Sequence, residues 1–162
     1  MIKTLTLIQK QKKLEYKFNK VISHILFFAK EKIIKDDEIL FEIESLRRRI
    51  SIINNTEPDF FIKKSKKELW DNRKYIRNRD INSILNIIKN NLNKNNLNKK
   101  NISLLSMLKN IISYNISENH KTIIWNKANL LIDILILWIL ADQGDEKTFN
   151  QISEKKKIFD KI

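Results

Sequence analysis

The sequence predicts an all-α fold: a single compact helical bundle of five to seven helices with a long apolar C-terminal core helix. Apolar residues recur at helical spacing through most of the chain. The 162 residues include only one glycine and one proline, whereas hairpins and sandwiches depend on turns that contain these residues. The length and the 42% hydrophobic content suit one buried core. We therefore expect one all-helical domain over residues 1–162.

The first two helices are predicted from apolar stripes at helical spacing, over residues 5–34 and 37–53. Asp36 precedes the second helix and has a side chain suited to an N-cap, where it can accept from free backbone N–H groups. Within that helix we expect Glu44 to pair with Arg48, because residues four apart lie on the same side of a helix.

A break is predicted at NNTEPD (54–59), because Pro58 cannot continue a helix from the preceding residues. Ser65 and Glu68 then match a capping box, in which the two side chains satisfy each other's backbone N–H groups. That pattern predicts a helix over 66–78.

The rest of the chain is divided by Asp80, a predicted N-cap, and by Gly144, a predicted helix stop. Between and after them we expect helices over 81–92, 102–116, 118–142 and 146–160, with a polar, low-complexity loop over 90–101.

ANLLIDILILWILA (128–141) is the most hydrophobic run of the chain. A buried core helix is the favoured interpretation; a homodimer or partner face and a membrane segment are the alternatives. A span needs roughly 20 apolar residues, and this run is shorter and contains Asp133, so no membrane span is expected. If Asp133 is buried, its carboxylate needs a partner, for which Asn126, Lys127 or Asn129 is available.

Charge is distributed unevenly along the chain. The formal net charge is +13, and residues 63–109 hold thirteen Lys and Arg residues against three acidic ones. Residues 110–162 hold seven of each and are more apolar. This asymmetry suggests that a basic middle segment, 63–109, meets a partner, while an apolar segment, 110–162, builds the core.

The middle segment contains WDNRKYIRNRD (70–80), in which two aromatic residues lie among four cations. On one continuous helix Trp70, Arg73, Lys74 and Arg77 would share a face. Arginine matches phosphate geometry and stacks on bases, and tryptophan can stack on an unpaired base. The predicted nucleic-acid-binding residues are Lys63, Lys64, Lys66, Lys67, Trp70, Arg73, Lys74, Arg77 and Arg79. The alternatives are a solvated helix face with Trp70 tucked into the core, or a surface for an acidic protein or lipid.

Several catalytic classes find no support in the sequence. The chain has no cysteine and one glycine, which excludes disulfides, thiolate catalysis and the glycine-rich phosphate loops as they are usually written. Neither His24 nor His120 belongs to a metal-binding or triad motif. We therefore expect no enzyme activity, no metal site and no cofactor.

The sequence thus predicts a non-catalytic, basic helical protein that binds nucleic acid, DNA or RNA, through its Lys/Arg-rich middle segment. The alternative is a helical adaptor or assembly subunit that binds a protein partner, or a second copy of itself, through its apolar C-terminal helices. The N-terminus lacks the apolar core of a signal peptide, so a cytoplasmic location is expected.

Overall fold

The structure is a computed structural model that describes residues 4–86, 104–113 and 116–161. These residues form an all-α bundle, as predicted. The helices are α1 (Leu5–Lys32), α2 (Asp37–Thr56), α3 (Phe60–Asp71), α4 (Arg73–Arg77), α5 (Leu104–Ser113), α6 (Glu118–Gln143) and α7 (Glu146–Lys156), followed by a 3-10 helix (Ile158–Asp160). Residues 81–86 are also helical; the remainder of the predicted 81–92 helix and the predicted 90–101 loop lie outside the described residues.

Helix α6 is the centre of the bundle. It packs most extensively against α1 and also contacts α3, α4, α5 and α7. Its apolar residues are buried on nearly every side, among them Ile124, Leu131, Leu135 and Trp138. The 128–141 run is therefore a core helix, as favoured from the sequence. By length and composition alone α6 could also cross a membrane, a test that the core helices of soluble proteins pass as well.

Local capping accounts for several helix ends. The Asp36 side chain accepts from the backbone N–H groups of Glu38 and Ile39, which confirms the predicted N-cap of α2. Gly144 ends α6 with a φ of 76°, a left-handed conformation that glycine adopts without the steric cost of a Cβ atom.

The predicted start of the third helix is wrong. α3 begins at Phe60, directly after the Pro58 turn, and continues through Ser65, which is buried within the helix and caps nothing. The Glu68 carboxylate instead accepts from the backbone N–H of Leu105, at 2.9 Å, near the start of α5.

Two further predictions are corrected. Glu44 pairs with Arg47 and with Lys30 of α1, each at 2.9 Å, and not with Arg48, which is exposed. These two hydrogen bonds lower the pKa of the Glu44 carboxyl. The last predicted helix, 146–160, is interrupted at Lys157, whose φ of 49° is left-handed and so incompatible with a continuous α-helix.

A buried amide joins α1 to the turn before α3. Asn19 is almost fully buried, and its side-chain N–H group donates to the Asn54 side chain, at 2.9 Å, and to the Pro58 carbonyl, at 3.0 Å. Because buried polar groups need partners, these two bonds tie α1 to the last turns of α2 and to the turn before α3.

We expect Leu131→Ala to lower the free energy of unfolding by about 2–5 kcal/mol, because the substitution leaves a cavity in the centre of the bundle. Leu131 is 0% exposed, whereas Ile123, on the same helix, is 37% exposed. Ile123→Ala is the matched control and should cost under about 1 kcal/mol. Urea unfolding followed by circular dichroism measures both. Equal losses for the two variants would contradict the central position of α6.

Candidate nucleic-acid interface

The outer face of α3 is basic. Lys63, Lys67 and Trp70 lie at i, i+4 and i+7 and are exposed, whereas Ile62 and Leu69 are buried on the side that faces the core. Helical periodicity therefore places two cations and an indole on one solvent-facing strip of α3. The twelve residues of α3 make the helix about 18 Å long, at 1.5 Å per residue, and the strip from Lys63 to Trp70 covers about 10 Å of it.

Trp70 is not tucked into the core. Its exposed fraction is 38%, against 5% for Trp125 and 4% for Trp138. The guanidinium carbon of Arg73 lies 4.0 Å from the centroid of the Trp70 ring, and Arg73 Nη1 donates to the Trp70 carbonyl at 2.6 Å. This cation–π stack holds an aromatic ring and a cation together at the surface.

The predicted continuous helix over 66–78 is interrupted at Asn72. Asn72 is buried, and its side-chain N–H group donates to the Glu68 carbonyl at 2.8 Å, so the side chain ends α3 there. The five-residue α4 then follows, and Arg79 closes it with a φ of 54°. Because of this break, the predicted shared face of Trp70 and Arg77 does not form as one helical strip.

Arg77 takes part in a partly buried ion-pair network. Its guanidinium donates to Asp133 Oδ1 at 2.5 Å and to the Asn129 side chain at 3.0 Å. Lys156 Nζ of α7 lies 2.8 Å from the same Asp133 oxygen. Asp133 is 7% exposed, so these cations compensate a carboxylate that has lost most of its water. Asp133 is thus buried, the case in which the sequence requires a partner, but its partners are Arg77 and Lys156 and not the suggested Asn126, Lys127 or Asn129.

The other predicted cations have different surroundings. Lys63 forms an ion pair with Asp59 at 2.6 Å, and this hydrogen bond raises the pKa of Lys63. Lys64 and Lys66 extend over aromatic rings, those of Phe60 and Trp138, each with 5.8 Å between Nζ and the ring centroid. Arg79 is exposed, and within the part of the chain that the structure describes its side chain makes only long contacts, of 3.4–3.5 Å, to side chains of α6.

Lys67 and Lys74 are the cations most available to a ligand. Both are exposed. Within residues 4–86, 104–113 and 116–161, neither of them has an ion-pair partner. We name Lys63, Lys67, Trp70, Arg73 and Lys74 together the α3–α4 face.

One carboxylate of α1 lies beside this region. Glu15 accepts from the indole N–H of Trp138 at 3.0 Å. Burial raises the pKa of the Glu15 carboxyl, and the Trp138 hydrogen bond acts in the opposite direction. Lys12 and Lys63 act electrostatically on the same carboxylate, so α1 and α3 are neighbours here and Lys12 of α1 lies near the basic surface.

A groove of about 580 Å³ opens between α1, α2, α3 and α5. Its lining is mainly apolar, including Leu26, Leu46 and Met107, with the polar ends of Arg49 and Glu68. The lining contains no histidine or cysteine, and among the described residues no group of three or more His, Cys, Asp and Glu side chains could hold a metal ion.

The two histidines lie in different surroundings. His24 lies on the exposed side of α1. Partial loss of water around its imidazole, together with nearby Lys127 and Lys20, lowers the pKa of His24. His120 packs edge-on against Phe28, with 5.4 Å between ring centroids. Among the described residues, no hydrogen bond joins either imidazole to a hydroxyl or a carboxylate, the arrangement that nucleophilic catalysis requires.

The sequence pattern did not identify Lys156 or Asn72 as residues that shape this region. Lys156 lies 23 residues from its partner Asp133, so no local spacing could reveal the contact. Asn72 carried a weak signal, because asparagine competes for backbone hydrogen bonds and disfavours helix interiors.

Comparison of the chain with protein-family models, curated proteins and solved structures finds no match.

We expect Arg77→Gln to lower the free energy of unfolding by about 1–3 kcal/mol, because the buried Asp133 carboxylate loses a charge-assisted hydrogen bond. Lys74→Gln removes a cation from the same short helix, but from an exposed position. It should change stability by less than about 0.5 kcal/mol. Chemical denaturation measures both variants.

A double-mutant cycle tests the assignment to Asp133. In an Asp133→Asn background, the cost of Arg77→Gln should shrink, because the charge that Arg77 compensates is gone. An undiminished cost in that background would show that Arg77 stabilises the fold through some other contact.

Proposed function

We propose that this protein is a non-catalytic nucleic-acid-binding protein that holds the phosphate backbone on its α3–α4 face. The observation that carries the proposal is that the four cations of the α3–α4 face surround an exposed tryptophan within the twelve residues from Lys63 to Lys74. Lysine and arginine neutralise phosphates and release the counterions condensed on them, which is the main source of sequence-independent affinity. The surplus of cations over residues 63–109 supports the same proposal.

The proposed surface differs from the set of residues derived from the sequence. Arg77 is left out, because Asp133 already engages its guanidinium and moving it to a phosphate would leave a buried carboxylate with one partner fewer. Lys64, Lys66 and Arg79 flank the α3–α4 face and add to the local positive potential. The exposed position of Trp70 disfavours the alternative in which this aromatic residue belongs to the core.

Binding of a protein partner through the apolar C-terminal helices is the weaker proposal. Most of the 128–141 run is buried against the other helices of the same chain. A partner could therefore reach it only if the bundle opened, at the cost of exposing its core to water.

We expect binding of labelled oligonucleotides to be steeply salt-dependent. If the four cations of the α3–α4 face each neutralise one phosphate, a rise from about 50 to about 200 mM salt should weaken binding about 50- to 150-fold. Fluorescence anisotropy at the two salt concentrations measures the slope. Absence of binding to any DNA or RNA at the lower concentration would refute the proposed function.

Charge reversal tests the assigned surface. The double variant Lys67→Glu/Lys74→Glu should weaken binding by at least about tenfold, because two phosphate contacts become repulsive. Lys147→Glu/Lys155→Glu alters two exposed lysines of α7 and lowers the net charge by the same amount. This control should bind almost as well as the unaltered protein. Equal weakening by both pairs would mean that overall charge, and not the α3–α4 face, governs binding; circular dichroism verifies that each variant stays helical.

A further inference from the structure

Trp70 is the exception among the three tryptophans of the chain. Trp125 and Trp138 are buried in the core, whereas Trp70 lies on the outer face of α3 between Lys67 and Arg73. An exposed indole costs free energy, because its large apolar surface meets water. Its position within the basic strip of α3 suggests a ligand that offers phosphates and flat aromatic groups together.

The Trp70 ring is also held in place. Arg73 covers one face of the indole at 4.0 Å and is itself anchored by its hydrogen bond to the Trp70 carbonyl. A ring that is already ordered loses less conformational entropy when a ligand stacks on it. With the guanidinium over one face, a flat group that stacks on Trp70 must use the exposed ring surface that Arg73 leaves uncovered.

Within nucleic acids, this geometry favours unpaired bases. In a duplex each base has neighbours on both faces, so an indole can stack on it only after the base has been unstacked or extruded. In single strands the bases can be splayed apart and stack on protein side chains. An exposed aromatic ring surrounded by backbone-binding cations is the arrangement that single-strand-binding grooves use.

The α3–α4 face offers little that would read the base edges of a duplex. Duplex readers place a helix in the major groove and contact base edges with arginine, lysine, asparagine or glutamine. The outer strip of α3 presents lysines, point charges without the planar fork of arginine that suit phosphates, and α4 has only five residues. Asn72, between the two helices, is buried and already bonded to Glu68.

We infer that the ligand of the α3–α4 face is single-stranded nucleic acid, with one unpaired base stacked on Trp70 and the flanking phosphates held by Lys63, Lys67 and Lys74. This inference rests on the proposed function and specifies its substrate class. The face holds the strand through stacking and charge, so it binds single-stranded DNA and RNA with little sequence preference.

The test measures fluorescence anisotropy of labelled 12-nucleotide oligo-dT, 12-nucleotide oligo-U and a 12-base-pair DNA duplex. Each is titrated with the unaltered protein, Trp70→Ala, Trp70→Phe and Tyr16→Ala. Tyr16 is an exposed aromatic residue of α1, 40% exposed against 38% for Trp70, and serves as the matched control. The Lys67→Glu/Lys74→Glu variant is measured beside them.

We expect both single strands to bind more tightly than the duplex. Trp70→Ala should weaken single-strand binding about 5- to 150-fold, the range found when a stacking aromatic residue is replaced by alanine. Trp70→Phe should keep most of the affinity, because a phenyl ring still stacks. Duplex binding by Trp70→Ala, and single-strand binding by Tyr16→Ala, should stay within about twofold of the unaltered protein.

Tryptophan emission gives a second readout that does not depend on affinity. A base stacked on Trp70 should quench the emission of the unaltered protein at saturating single strand, while Trp70→Phe should show no quenching, since its two remaining tryptophans are buried.

The measurements distinguish a failure of the stacking inference from a failure of the proposed function. If duplex and single strand bind equally, Trp70→Ala changes neither, and Lys67→Glu/Lys74→Glu weakens both, the stacking inference is overturned while the proposed function stands. If no oligonucleotide binds at low salt, both are overturned.

Discussion

The apolar surface of α6 is the constraint on which the bundle depends. Its core residues lie on nearly every side of the helix, from Ile124 to Ala141, so no single partner helix can cover it. α1 covers most of one side, and α3, α4, α5 and α7 contact the rest. Burial of apolar area is the main favourable term in folding, and here one helix supplies much of the surface to be buried.

Because the other helices enclose α6, their charged side chains are confined mainly to the sides that face water. Each surrounding helix buries one stripe against the core and turns its other side to water, as α3 does with Leu69 inside and Lys67 outside. A charged side chain directed inward needs a countercharge. Arg77 and Lys156 meet this requirement at Asp133. The basic surface is therefore formed by the cations that neither pack against the core nor pair with a buried carboxylate.

Local signals predicted those features that depend on neighbouring residues. Asp36 and Gly144 mark helix ends because a side chain or a backbone conformation acts within one turn. The start of α3 was predicted wrongly, because the Ser65–Glu68 pattern matches a capping box, whereas Ser65 is buried inside a helix that begins directly after the Pro58 turn. The role of Arg77 was equally hidden, because its partner lies 56 residues away. Exposure of Trp70 likewise follows from how α3 packs and not from its neighbours in the chain.

The shared Asp133 carboxylate has a consequence for how this chain can change over evolutionary time. It joins α4, α6 and α7, so three positions far apart in the sequence are linked through one charge. With an apolar residue at 133, cations at 77 and 156 would no longer have a buried carboxylate to compensate. The Arg77 side chain could then extend into solvent. Positions 77, 133 and 156 should therefore covary in descendants of this chain, whereas the exposed lysines of α3 can be exchanged singly without disturbing the core.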